Sequence, residues 1–236
     1  DSGLVRWKLT APKASRFKEK QLVVLDRPTI VFYDQTGNVR TTLVSEAGEY
    51  NEARRDMLAY GHVVVTSVTR DVLPDGGSAH FAATISAIRA RCNSATVEVL
   101  IPDLGGSAES LDTVLDAMPE VLNHNVETIA RLYDKVRPQA DYRRSLSVLR
   151  RASLRGDCAV KTGLMVGLGE NGEEVKALMA DLADAGVIML TIGQYLQPKR
   201  QSVPVCEYIP PEVFERYREM GEAMGLLVQS GPFVRS

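Results

Sequence analysis

From residue 29 onward, short runs rich in β-branched residues alternate with longer runs whose apolar residues recur three and four apart, and this alternation restricts the fold more than any other feature. The β-type runs are TIVFYD (29–34), VVVTSV (63–68), TVEVLIP (96–102), VLNHN (121–125), VKTGLMV (160–166), MLTIGQY (189–195) and LLVQSG (226–231). Met57, Leu58 and Val63 close the first helical segment between them; Phe81, Ile85 and Ile88 stripe the second, and Leu111, Val114, Leu115 and Met118 the third. Further stripes follow at Ile129, Leu132 and Val136, at Leu146, Leu149 and Leu154, at Val175, Leu178, Met179 and Leu182, and at Val213, Tyr217, Met220 and Met224. Asn171 with Glu174 three residues on predicts a capping box, and Pro210-Pro211 opens the last helix. A helix between successive strands provides the crossover that parallel pairing requires. The sequence therefore predicts an α/β protein: a partial (β/α) barrel of TIM type with six to seven parallel strands over residues 29–236. A doubly wound open sheet is the alternative. Residues 1–28 are basic and weakly periodic, and are expected to form an arm rather than a core element.

At 236 residues, one large unit of this class accounts for the chain. The formal net charge of −2 gives no basic footprint, so nucleic acid is not expected as a partner. No apolar run reaches the length of a membrane span and no basic-then-apolar leader is visible, so neither a membrane nor secretion is expected. The expected location is the cytoplasm, or the mitochondrial matrix or a plastid in a eukaryote. Cys92, Cys158 and Cys206 are too far apart to form a short metal-ligand pattern and are odd in number, and they read as small core or half-buried residues.

In parallel α/β folds the ligand site is built from the carboxyl ends of the strands. Those ends carry Asp34; Thr66, Ser67, Arg70 and Asp71; Asp103; Asn123, His124, Asn125, Glu127 and Thr128; Lys161 and Glu170; Gln194 and Gln197; and Ser230 and Arg235. A polar group at nearly every strand end suggests a large polar ligand. Several have plainer readings: Asp103 as an Asx turn, His124 as a hydrogen-bonded structural histidine, Glu170 as a carboxylate beside a helix N-terminus. Asn125 and Glu127 are harder to set aside, because residues two apart at a strand end face the same way and an amide beside a carboxylate suits a ribose diol.

The segments VVVTSVTRDVLPDGGSAHFAATISAIR, VEVLIPD, NHNVETIARLYDKVRPQADYRRSLSVLRRA, KTGLMVGLGEN, TIGQYLQP and SGPFVRS, in this order, closely resemble lipoyl synthase over roughly residues 53–236. The resemblance implies a radical S-adenosylmethionine fold and sulfur insertion at two carbons of an octanoyl chain carried on a lysine. The implied partner is a lipoyl-carrier domain or an octanoyl-lysine peptide. It also implies S-adenosylmethionine and two [4Fe–4S] clusters as cofactors. By resemblance, Thr66 and Ser67 hold the methionyl amino end, Asn125 and Glu127 take the ribose, Lys161 and Gln194 line the cofactor pocket, and Ser236 is a ligand of the auxiliary cluster.

The departure from the family lies in the thiolates. Its CxxxCxxC motif should follow the first strand, but residues 33–50 read YDQTGNVRTTLVSEAGEY, with Gln35, Val39 and Thr42 in the best register. None of these replaces a cysteine in an iron–sulfur cluster, and residues 1–28 contain no cysteine for an auxiliary cluster. Val72 also stands where the family usually has an Asp. The chain is therefore expected to lack radical chemistry, with a binding protein for S-adenosylmethionine or a carrier domain as the alternative. A Schiff-base role for Lys161 is a third reading.

Overall fold

The computed structural model describes residues 7–18, 21–33, 36–53, 56–67, 73–92 and 94–235. The chain divides into two compact units, Asp1–Leu104 with Asp112–Glu120, and Gly105–Leu111 with Val121–Ser236.

The first unit begins with an antiparallel meander. Strands β1 (Trp7–Thr10) and β2 (Lys13–Phe17) pair with β4 (Thr29–Tyr33) and β3 (Leu22–Asp26) respectively. Both β3 and β4 pair along one side of β5 (Val39–Asn51), and β6 (Asp56–Ser67) pairs along the other. Pro28 separates β3 from β4, and its carbonyl accepts from Ser45 N where the β5–β6 register shifts. Thus, of the first 28 residues, expected as an arm, 7–10, 13–17 and 22–26 lie in strands, and 29–33 is an antiparallel strand rather than the first strand of a parallel set. The helical segment expected to end at Met57, Leu58 and Val63 is instead the β5–β6 hairpin. The physical reason is legible in Val39, Thr41, Thr42 and Val44, whose branched side chains favour a pleated strand over a helix.

Only then does parallel architecture start. β6 pairs with β7 (Thr96–Leu100) in parallel, the crossover being α1 (Ser78–Arg91). Val63, Val65, Val97 and Val99 are buried together with Phe81, Ile85 and Ile88, the predicted stripe of α1. The Pro-Asp-Gly-Gly turn that starts α1 is held by Asp75, whose carboxylate accepts from Gly77 N and Ala79 N at 3.0 and 2.9 Å. Those bonds keep its carboxyl below the usual range.

The second unit carries four parallel strands: β8 (Val121–Asn123), β9 (Ala159–Val166), β10 (Met189–Gln194) and β11 (Leu227–Gly231). Between them run α3 (Tyr133–Val136), α4 (Tyr142–Arg155), α5 (Gly172–Asp184) and α6 (Pro211–Glu222), while α2 (Ala108–Asp116) precedes β8. The capping box at Asn171 and Glu174 is formed in both directions. Asp141 caps α4 by accepting from Arg144 N at 2.7 Å. Val160, Leu164, Val166, Leu190 and Ile192 of the strands are buried, as are Val175, Leu178, Met179, Leu182 and Phe214 of the helices. Each such side chain contributes about 1.5–3 kcal/mol. At Gly221 a Cβ would lie 2.5 Å from Val228, so glycine is what lets α6 approach β11. Among the described residues six strands are parallel, so the chain is α/β as expected.

Candidate functional site

Strand β8 ends at Asn123, yet the chain continues alongside β9. His124 N donates to Lys161 O (3.1 Å), Glu127 N to Gly163 O (2.9 Å), and Met165 N to Glu127 O (2.8 Å). The gap between these bonds is closed by a side chain. Thr162, fully buried, donates its hydroxyl to His124 O at 2.7 Å and accepts from Val126 N at 3.2 Å. The hydroxyl thereby satisfies two backbone groups that no ladder reaches. This splice leaves Glu127 with a φ of 65°, the left-handed region that non-glycine residues seldom occupy outside special sites.

Asn125 and Glu127 line a cavity of about 250 Å3, just below the usual size of small-molecule sites (roughly 300–1,000 Å3) and open to solvent on one side. Gly163, Met165, Thr191 and Gly193 form its strand wall, and Val234 and Arg235 of the C-terminal tail border it. A Cβ at Gly193 would lie 2.3 Å from Val234 O, so only glycine allows the tail to lie against β10 there. Burial pushes the Glu127 carboxyl above its ordinary value, opposed by the Arg137 charge and a hydrogen bond from the Asn125 side chain. Arg137 donates through Nη1 to Asn125 O at 2.9 Å and lies over the Tyr133 ring, 5.8 Å from its centre.

Of the residues singled out in the sequence, Asn125, Glu127, Gln194 and Arg235 border this one cavity. Gln194 does so with its amide fully committed elsewhere. Its Nε2 donates to Tyr195 O and Glu207 O, both at 3.0 Å, and its Oε1 accepts from Ile209 N at 2.9 Å. It clamps the loop after β10. Lys161 is on the same face of β9 as Gly163 but a register position earlier, beside Asn123 and Met189, and is not among the lining residues. Thr66 and Ser67 end β6 in the first unit, registered with Thr42 and Thr41 of β5.

The plainer readings hold at several positions. Glu170 accepts from Gly167 N and Leu168 N and staples its own turn. His124 is buried and shares a 3.0 Å hydrogen bond with Ser145. Gln197 donates to the carbonyls of Arg200 and Ser202. Asn123 and Thr128 are buried, Asp103 is half-buried ahead of a 3-10 turn at Leu104–Gly106, and Ser230 is half-buried in β11. Asp34, Arg70, Asp71 and Ser236 lie outside the described residues. The sequence reading missed Met165, Thr191, Gly193 and Arg137. The glycines inside two β-type runs were a usable signal, since glycine within a strand often marks a close approach.

The donor set does not fit an iron–sulfur cluster. Val39 and Thr42, which the sequence reading sets against two of the family's thiolates, sit in β5 opposite Tyr33 and Val31. Cys92 and Cys158 are half-buried, one after α1 and one just before β9, and Cys206 is exposed after β10. Among the described residues no group of three or more His, Cys, Asp or Glu could hold a metal. No described helix is long and apolar enough to cross a membrane.

Comparison with known proteins agrees with this parallel α/β frame. The Radical SAM superfamily matches residues 30–182. A lipoyl synthase of Nitratidesulfovibrio vulgaris (strain Hildenborough) is 57% identical over 180 residues, 76% of this chain and 60% of that one. One of Chlorobium phaeovibrioides is 55% identical over 175 residues, covering 74% and 62%. One of Caldanaerobacter subterraneus subsp. tengcongensis is 53% identical over 186, covering 78% and 64%. The chain thus spans about 60% of the length of the curated relatives it matches first. Among solved structures, a domain of pyruvate-formate lyase-activating enzyme from Bacteroides vulgatus aligns with a TM-score of 0.52 at 14% identity, over 70% of this chain and 97% of that one. Methylornithine synthase aligns at 0.51 and 14%, over 63% and 44%. These two speak to the fold alone. By the match over residues 30–182 the chain belongs to the Radical SAM superfamily, and within it the chain is lipoyl synthase-like.

Proposed function

We propose that the chain binds S-adenosylmethionine through its ribose at Asn125 and Glu127, and that the sequence as it stands binds without radical turnover. The observation that carries this reading is the amide–carboxylate pair on one wall of a cavity of about 250 Å3. A vicinal diol offers two O–H donors and lone pairs to accept; an ionised carboxylate accepts and an asparagine amide both donates and accepts. Gly163 leaves the strand wall low enough for a flat ring system to approach the backbone.

The family resemblance supplies the rest. The substrate class is an octanoyl-lysine, free in a peptide or on a lipoyl-carrier domain, into which the family inserts sulfur. That step requires two [4Fe–4S] clusters, and Gln35, Val39 and Thr42 supply no thiolates for the first of them. No step through a cluster is assigned to this chain.

Calorimetric titration with S-adenosylmethionine and its 2′-deoxy analogue tests the binding. Saturable heat for the first and a weaker response for the second are expected; absence of heat from S-adenosylmethionine at millimolar ligand sinks the reading. Anaerobic incubation with iron and sulfide followed by metal analysis tests the second half. Sub-stoichiometric iron is expected, and a full cluster per chain would overturn it.

A further inference from the structure

We propose that Arg137 is the positioning residue of this cavity: it pins the Asn125 main chain, so that the Asn125 amide and the Glu127 carboxylate present one fixed face to a ribonucleoside diol. The inference rests on the nucleoside reading above and adds to it a residue outside the cavity.

Three features hold the guanidinium in place. Arg137 N donates to Tyr133 O at 2.7 Å, and Pro138 follows, which steers Arg137 out of the helical region to φ −136°, ψ 63°. The Tyr133 ring lies under the guanidinium at 5.8 Å and meets Tyr142 edge-on, with centroids 5.4 Å apart. Tyr142 in turn donates to Asp181 at 2.6 Å. From this seat Nη1 reaches Asn125 O at 2.9 Å, fixing the residue whose side chain hydrogen-bonds Glu127. A lysine cannot reproduce the planar fork, although it can reproduce the charge.

The charge matters because Glu127 is half-buried in the cavity wall. The charged and titratable groups acting on it are Arg137 and Tyr133 from the α3 turn, and Arg235 of the tail borders the same cavity. Burial favours the protonated acid, which has lost an acceptor for the diol; Arg137 acts against burial. Without that cation the carboxyl would bind its proton at higher pH and its partner Asn125 would lose its anchor.

The test compares wild type with Arg137→Met, Arg137→Lys and Glu127→Gln in the whole chain. The Glu127 carboxyl is followed by 13C resonance, assigned by its loss in Glu127→Gln, as pH is varied. Affinity for S-adenosylhomocysteine and its 2′-deoxy form is measured at the same pH values. Arg137→Met should move the titration to higher pH and weaken the ribonucleoside roughly 10- to 100-fold, the range for a lost charge-assisted bond. Preference for the ribo over the deoxy form should fall with it. Arg137→Lys should restore the titration and only part of the affinity. Unchanged affinity together with unchanged preference for the ribo form in Arg137→Met overturns the inference. A moved titration with no ligand bound by any variant upholds the role of Arg137 and removes the nucleoside reading instead. If Arg137→Met fails to fold, Arg137→Lys decides alone: full wild-type affinity would refute the pinning of Asn125, and a partial loss supports it.

Discussion

Replacing Thr162 by valine isolates the device that shapes the cavity wall. The two side chains have nearly the same volume, and valine is the better strand former, so packing and propensity predict little change or a gain. The hydroxyl predicts the opposite. Thr162 is fully buried and its Oγ1 serves both His124 O at 2.7 Å and Val126 N at 3.2 Å. Its loss leaves a buried carbonyl and a buried N–H unpaired, at about 1–3 kcal/mol each. A total of about 3 kcal/mol is expected, or roughly 10 °C in melting temperature at this chain length. The control is Thr162→Ser, which keeps the hydroxyl and removes one methyl, costing about 1 kcal/mol. Urea denaturation and thermal melts of the three proteins give the comparison. The expected order of stability is wild type, then serine, then valine, with nucleoside affinity falling most in the valine variant because Asn125 lies within the splice and Glu127 directly after it. Valine equal to or above serine would refute the argument that a side chain replaces the ladder here.

Three further substitutions probe the same wall. Gln194→Glu keeps the acceptor for Ile209 N but sets carboxylate oxygen against the carbonyls of Tyr195 and Glu207, and should cost about 2 kcal/mol at neutral pH with partial recovery in acid; equal urea midpoints at pH 4.5 and 7.5 would count against the clamp. Glu127→Gln should raise stability at pH 7–8. The folded carboxyl binds its proton above the ordinary 4.5, so its favourable contribution is present below that pH and is lost as pH rises through the folded midpoint; the advantage of glutamine should therefore fade towards pH 4, and an advantage that grows in acid contradicts the assignment. Gly193→Ala places a methyl 2.3 Å from Val234 O and should displace the tail, read as faster carboxypeptidase release of Arg235 with the remaining core unchanged.

How much of this was legible in the sequence depends on whether the information was local. The strands and helices from residue 96 onward follow from apolar spacing, and the capping box at Asn171 and Glu174 from two residue types at a fixed interval. The hairpin of β5 and β6 was misread because Met57, Leu58 and Val63 imitate a helical spacing, while the branched residues at 39–44 carried the stronger strand preference. Thr162 reads as an ordinary strand residue, since nothing in VKTGLMV reveals that the neighbouring strand stops at Asn123. Gln194 was recognisable as a polar strand end, but whether its amide faces the cavity or the loop is decided by Glu207 and Ile209, more than ten residues away. Arg137 was missed for the same reason: its partner, the Asn125 carbonyl, is twelve residues back and is a backbone group that no motif records.

The devices that build the cavity all belong to residues 121–235. Thr162 splices the break after β8, Glu127 exchanges bonds with Gly163 and Met165, Gln194 clamps the loop after β10, and Gly193 admits the tail. Each is satisfied within that unit by hydrogen bonds that need no thiolate and no metal. The segment that the sequence reading sets against the family's cluster motif, residues 35–42, belongs to the other unit, where Val39 and Thr42 contribute to a β-hairpin instead. Ligand binding and cluster ligation are thus separate structural problems, solved by different stretches of chain. A departure confined to that stretch leaves the cavity intact, because the hydrogen bonds at Thr162 and Glu127 do not depend on it. Binding without turnover is then a physically coherent state of this fold, and it makes nucleoside affinity, rather than product formation, the quantity that reports on residues 121–235.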